Sequence, residues 1–187
     1  MNAVAKPLTV DDFIAWSLQQ SSGRYELMHG EIIAMASERM IHRRVKNLVA
    51  NALEAAARSA NIQCHVEPDG ATVRIDDDTA FEPDSLVYLG ALVALDSVEV
   101  PAPVIVVEVV SPSMGRIDST AKLLGYFLVA SIEHYLILDG EKRKIVHHRR
   151  TADGSIHTTI HSSGELILDP PGLTLPVAAY FPPATAT

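Results

Sequence analysis

Little in this chain could cross-link it or tie it to a membrane. One cysteine, Cys64, stands among 187 residues, which excludes an internal disulfide and a cysteine-based zinc site. No apolar run reaches the roughly 18 residues of a membrane span. The opening "MNAVAKPLTV" lacks an apolar h-region, so no secretory signal is expected, and these features together fit a cytoplasmic protein. Basic residues are the minority, with 15 Lys and Arg against 23 Asp and Glu and a net charge of −8. That balance argues against a protein that coats nucleic acid, but not against an enzyme with a local basic face. No Gly-x-Ser-x-Gly elbow occurs, so serine hydrolase chemistry is not expected.

What is present is an ordinary globular composition, 48% hydrophobic and 20% charged, with no repeat and no linker. One domain is expected over residues 1–187, with its core over about 8–180. "LTVDDFIAWSLQ" (8–19) reads as a short helix capped by Thr9, with Asp12 at N3. "RYELMHGEIIAMA" (24–36) reads as a hairpin turning at His29-Gly30. Residues 38–60 carry an apolar helical stripe of Ile41, Val45, Leu48 and Ala52, with Arg39, Arg43 and Lys46 on a second row that faces water or a partner. Residues 61–70 and 71–76 alternate like two strands joined by Pro68-Asp69-Gly70. Strands follow at 83–90, 102–111, 133–140 and 144–150, with a helix over about 118–130 and one or two edge strands over 155–177. His147 and His148, adjacent on a strand, face opposite sides. The class is α/β (α+β): a mixed sheet with helices against it.

The stretch "PVIVVEVVSPSM" (103–114) carries the chemical question. Its nearly continuous apolar run predicts a central strand covered on both faces, yet Glu108 sits inside it. A charge taken out of water costs several kcal/mol unless it is paired, protonated or bound to a metal. Asp84, after Pro83, opens the preceding strand. If those strands are neighbours, the two carboxylates meet at one edge, and a divalent cation would relieve their repulsion. Lys122, on the following helix, is long enough to reach them. The plain alternatives are a solvated strand end for Glu108, a turn role for Asp84, loop caps for Ser111 and Ser113, and for Lys122 an i,i+4 pair with Asp118. His42, beside its helix's apolar stripe, reads first as a structural histidine.

Pro83-Asp84, Glu108 ending an apolar strand, and then a lysine resemble the PD-(D/E)XK nuclease superfamily. "RYELMHGEIIAMA", the His42 helix, "FEPDSLVY", "VIVVEVVSPSM", "DSTAKLLGYF" and "EHYLILD" are similar, in order and spacing, to one branch: the bacterial family of putative restriction endonucleases, long catalogued as a domain of unknown function and abundant in cyanobacteria. The resemblance implies a restriction-endonuclease-like fold, a mixed β-sheet core of αβββαβ type flanked by helices. It implies phosphodiester hydrolysis of DNA, expected to be double-stranded, with Mg²⁺ or Mn²⁺. It makes Asp84, Glu108 and the Val109 carbonyl the metal ligands. The superfamily's lysine two residues after the glutamate is here Val110; in this branch the lysine moves to the next helix, where Lys122 stands. An early glutamate completes such sites, either Glu31, which matches the "GEI" step, or Glu26. Two-fold DNA favours a homodimer, with the edge strands after residue 155 as its surface. The alternative is a nuclease fold that has lost cutting and serves as a binding or structural module.

Overall fold

The computed structural model describes residues 7–110 and 116–183, and the side chains of all of these except 116–119. The caps at Ser111 and Ser113, the Asp118 side chain and the last residues of the "FPPATAT" end lie outside that description.

The first elements form a small layer. Helix α1 (Val10–Ser17) starts in the expected capping box, Thr9 accepting the Asp12 N–H while the Asp12 carboxylate takes the Thr9 N–H. Strands β1 (Tyr25–Met28) and β2 (Glu31–Ala34) form the expected hairpin. His29 and Gly30 both have positive φ, 51° and 75°, as a two-residue turn that follows strand twist requires.

Helix α2 (Met40–Ala60) is the longest element. It leads into β3 (Cys64–Pro68), β4 (Val73–Arg74), β5 (Ala80–Phe81), β6 (Ser85–Leu89) and β7 (Pro103–Val110). Helix α3 (Arg116–Tyr126) follows, then β8 (His134–Asp139), β9 (Lys144–Arg150), β10 (Ile156–His161), β11 (Glu165–Leu168), β12 (Leu173–Pro176) and a 3-10 turn (Val177–Tyr180). The main sheet has six strands in the order β10-β9-β8-β7-β6-β3, and a second sheet has the order β2-β1-β5-β4. Only β7 and β8 run parallel in the main sheet, as a crossover through α3 demands.

Pro68-Asp69-Gly70 does not close a hairpin. Strand β3 pairs antiparallel with β6, whereas β4 pairs with β5 in the other sheet. The five-residue β3 matches the full length of β6, a longer ladder than two-residue β4 offers.

Strand β7 is central and doubly covered, as its apolar run predicts. Ile105, Val107 and Val109 face the core made with Val45, Val49, Leu53 and Ala57 of α2. Val106 faces the other core, among Phe81, Leu86, Tyr126 and Tyr135. The β11–β12 hairpin sends Leu166, Leu168, Leu173 and Leu175 into the α2 side. Within α2 the core stripe is Val45, Val49, Leu53 and Ala57, rotated from the expected one. Lys46, expected in water, is consequently buried; it stands seven residues before Leu53, about 20° from alignment with it. Arg39 and Arg43 do lie outside, Arg39 pairing with Glu141 at 2.8 Å.

Candidate active site

The site forms where β6 ends before β7 does. Ser85 stands opposite Val107, so the last residues of β7 run past the end of β6. Backbone N–H groups left open in a buried sheet need acceptors. Asp84 supplies one: its Oδ2 accepts the Val109 N–H at 2.6 Å, and its own N–H donates to the Val107 carbonyl at 2.9 Å. Asp84 and Glu108 therefore come together beside adjacent strands, and both are buried.

Two ammonium groups serve these carboxylates. Lys46 Nζ lies 2.7 Å from Asp84 Oδ1, 2.6 Å from Glu38 Oε1 and 2.8 Å from Asp69 Oδ1. Lys122 Nζ lies 2.9 Å from Glu108 Oε1 and 2.8 Å from Glu26 Oε1. His42 Nε2 stands 3.1 Å from Asp84 Oδ2, and the Tyr126 hydroxyl donates to Glu108 Oε1 at 2.7 Å. Arg24 closes the outer side through Glu38, Asp69 and Glu82. The Glu82 N–H in turn donates to Glu26 at 2.9 Å.

The electrostatics separate the two acids. Burial by itself would raise Asp84, but the His42 hydrogen bond, the Lys46 charge and the Val109 N–H outweigh it and hold the carboxyl below its ordinary range. Burial also raises Glu108; Lys122 opposes it, while the charges of Asp84 and Glu26 add to it, and the carboxyl is pushed up to about 7. Burial lowers Lys122, yet Glu108 and Glu26 more than reverse this, so it is held as an ammonium. Lys46 behaves likewise, burial being overcome chiefly by Asp84. Burial, then the Glu108 charge, raises Tyr126, which keeps its proton and donates it.

Asp84, Glu108 and Lys122 thus meet. Glu31 does not join them: it lies exposed on β2 opposite Met28, because the alternation of the hairpin turns it outward. Glu26, one strand earlier and buried, is the early glutamate that stands beside Lys122. Sequence reasoning missed Lys46, Glu38 and Asp69. The available signal was the spacing of Lys46 from Ala50, Leu53 and Ala57 on the inner face of α2.

The donor set fits a hard divalent cation. Among the described residues, Glu26, Glu38, Asp69, Glu82, Asp84 and Glu108 are six carboxylates linked to three fixed cations, Arg24, Lys46 and Lys122. Carboxylate oxygens in excess of positive charge are what Mg²⁺ or Mn²⁺ take. Ligating atoms of Glu38, His42 and Asp84 also lie within 4.8 Å of one another. An open groove of about 450 Å³, lined by Arg24, Glu38, Arg43 and Asp69 among others, reaches the outer side of this cluster.

Comparison with known proteins bears on the family and the fold. The family model described as "Uma2: Putative restriction endonuclease" matches residues 10–178. A solved structure, a putative nuclease of the DUF820 group from Anabaena variabilis, superposes with a TM-score of 0.72 at 15% identity, covering 93% of this chain and 97% of that one. That likeness shows a shared fold. No curated protein matches the chain.

Proposed function

Because the chain belongs to the family of putative restriction endonucleases, we propose that it is a nuclease that hydrolyses phosphodiester bonds of double-stranded DNA with Mg²⁺ or Mn²⁺. The observation that carries this reading is the buried contact of Lys122 with Glu108 at 2.9 Å. It supports the reading by setting a lysine from the helix after β7 beside the glutamate that would hold the ion. Asp84, Glu108 and the Val109 carbonyl would hold the ion, with Glu26 beside them. When bound, such an ion acts as a Lewis acid and makes water a better nucleophile at neutral pH.

The chain's own groups do the positioning. Asp84, pinned by the Val109 N–H, fixes one ligand to the strand edge. Tyr126 and Lys122 fix Glu108 Oε1. The Lys122 ammonium, preorganised by Glu26, offsets negative charge that builds on a phosphoryl group in flight. Arg43 and Arg44, exposed near the start of α2, are suited to phosphate oxygens of the duplex. Two-fold DNA favours a homodimeric enzyme, with β10 at the edge of the main sheet as a surface for the second copy.

The test is cleavage of supercoiled plasmid with Mg²⁺ or Mn²⁺. Wild type is expected to nick or linearise it, and Glu108→Ala to lose at least 100-fold, the order set by removing one electrostatic contributor (~10²–10³). Cleavage unchanged in Glu108→Ala would place the activity elsewhere. Duplex binding without cleavage by the wild type would instead identify a nuclease fold kept as a binding module. The complete pairing of Asp84 by Lys46, His42 and Val109 is the feature that favours that second reading.

A further inference from the structure

We infer that Lys46 is a tethered cation that stands in for a second divalent ion, so that the centre takes one metal ion. The inference rests on the metal-dependent reading above and concerns what this chain does with half of its carboxylates.

The carboxylates form two cradles joined at the strand edge. One consists of Glu38, Asp69 and Asp84, with His42 on the far oxygen of Asp84. The other consists of Glu26 and Glu108. In the first cradle three oxygens from three separate segments converge on Lys46 Nζ at 2.6, 2.8 and 2.7 Å. An ammonium in van der Waals terms is larger than Mg²⁺ or Mn²⁺, but it satisfies the same oxygens at hydrogen-bond length. The Glu38, His42 and Asp84 atoms that lie mutually within ligand range include two groups that Lys46 already bonds. An ion that took those ligands would have to share space with the ammonium.

The charge is held there by structure. Lys46 projects from the inner face of α2, on the side of Ala50 and Leu53, and only 5% of it is exposed. Within that burial the three carboxylate contacts at 2.6–2.8 Å hold the ammonium in the cradle. The cradle's outer wall is nevertheless accessible, since Asp69 is 39% exposed and lines the open groove with Glu38. A hydrated cation can therefore reach these carboxylates; what excludes it is the lysine.

The experiment counts bound ions. Mn²⁺ bound per chain is measured by isothermal calorimetry and by electron paramagnetic resonance of free Mn²⁺, for wild type, Lys46→Met, Lys46→Arg and Arg58→Gln. Lys46→Met keeps the apolar stem and removes the charge, and it is expected to bind one ion more than wild type. Lys46→Arg is expected to match wild type. Arg58→Gln, which removes an exposed charge at the far end of the same helix, is also expected to match it. An unchanged count in Lys46→Met overturns the inference, whether wild type binds one ion or none. Two ions in wild type overturn it as well, and this result stands even if Lys46→Met does not fold. No ion in wild type but one in Lys46→Met would keep the lysine's exclusion of an ion from its own cradle, and would sink the metal-dependent reading together with the one-ion count that rests on it. One ion in both would do the reverse.

Discussion

Glu108 shows how a carboxylate is kept in a sheet. Its Oε1 takes both the Lys122 ammonium at 2.9 Å and the Tyr126 hydroxyl at 2.7 Å. Removing one member of such a buried pair leaves the other uncompensated, which costs about 3–5 kcal/mol. Lys122→Met is therefore expected to lower the urea-unfolding free energy by about that amount, and Lys122→Met with Glu108→Gln to recover part of it. Equal loss in the single and double variants would mean the pair is not coupled. The acids and this lysine were legible in sequence because a charge inside an apolar strand has few explanations. Glu26 was only half legible: in a hairpin with an acid on each arm, alternation does not say which arm faces the molecule. Lys46 was illegible because choosing Ile41 and Leu48 as the apolar stripe rotated α2 enough to put a core-facing lysine in solvent.

Elements were read best where the signal is local. The α1 capping box, the His29-Gly30 turn, α2 and the central β7 depend on a few neighbouring residues, and each forms as expected. Pairing across the sheet was read less well. Pro68-Asp69-Gly70 marks where the chain turns but not what β3 pairs with, which is decided by strand length and by burial against α2. The tight β1–β2 turn gives a direct test at this scale. Gly30 has φ +75°, and a Cβ there would run into Pro7. A left-handed conformation costs an L-residue about 1–2 kcal/mol, and the clash adds to that. Gly30→Ala is expected to lose roughly 2–3 kcal/mol by urea unfolding; a loss of only about 1 kcal/mol would show that Pro7 moves aside freely and leaves the backbone cost alone, and a loss under roughly 0.5 kcal/mol would show that the turn itself gives up the left-handed conformation.

Across the whole molecule, charge state sets stability, and two of the groups concerned stand outside the carboxylate cluster. His134 Nδ1 and His147 Nε2 are 2.9 Å apart on neighbouring strands β8 and β9, both buried. Burial lowers His134 to about 4, with Arg149 adding to the effect against the Pro170 and Asp169 carbonyls. Burial lowers His147 to about 3, reinforced by His134, His161, Arg149 and His148. Both folded values lie below the unfolded value of about 6.5, so the unfolded chain binds more protons between them. Stability from this pair is complete above pH 6.5 and drains away as pH falls toward 4 and below. Glu108 works in the opposite sense, since its folded value of about 7 exceeds the ordinary carboxylate value and favours the folded state on acidification. The two contributions are separated by comparing wild type with His134→Leu plus His147→Leu, which leaves Glu108 untouched. Relative to the double variant, wild type is expected to lose on the order of 3 kcal/mol per histidine between pH 7 and pH 4. Parallel stability curves for the two proteins across that range would mean that the pair can take up a proton without leaving its place in the sheet.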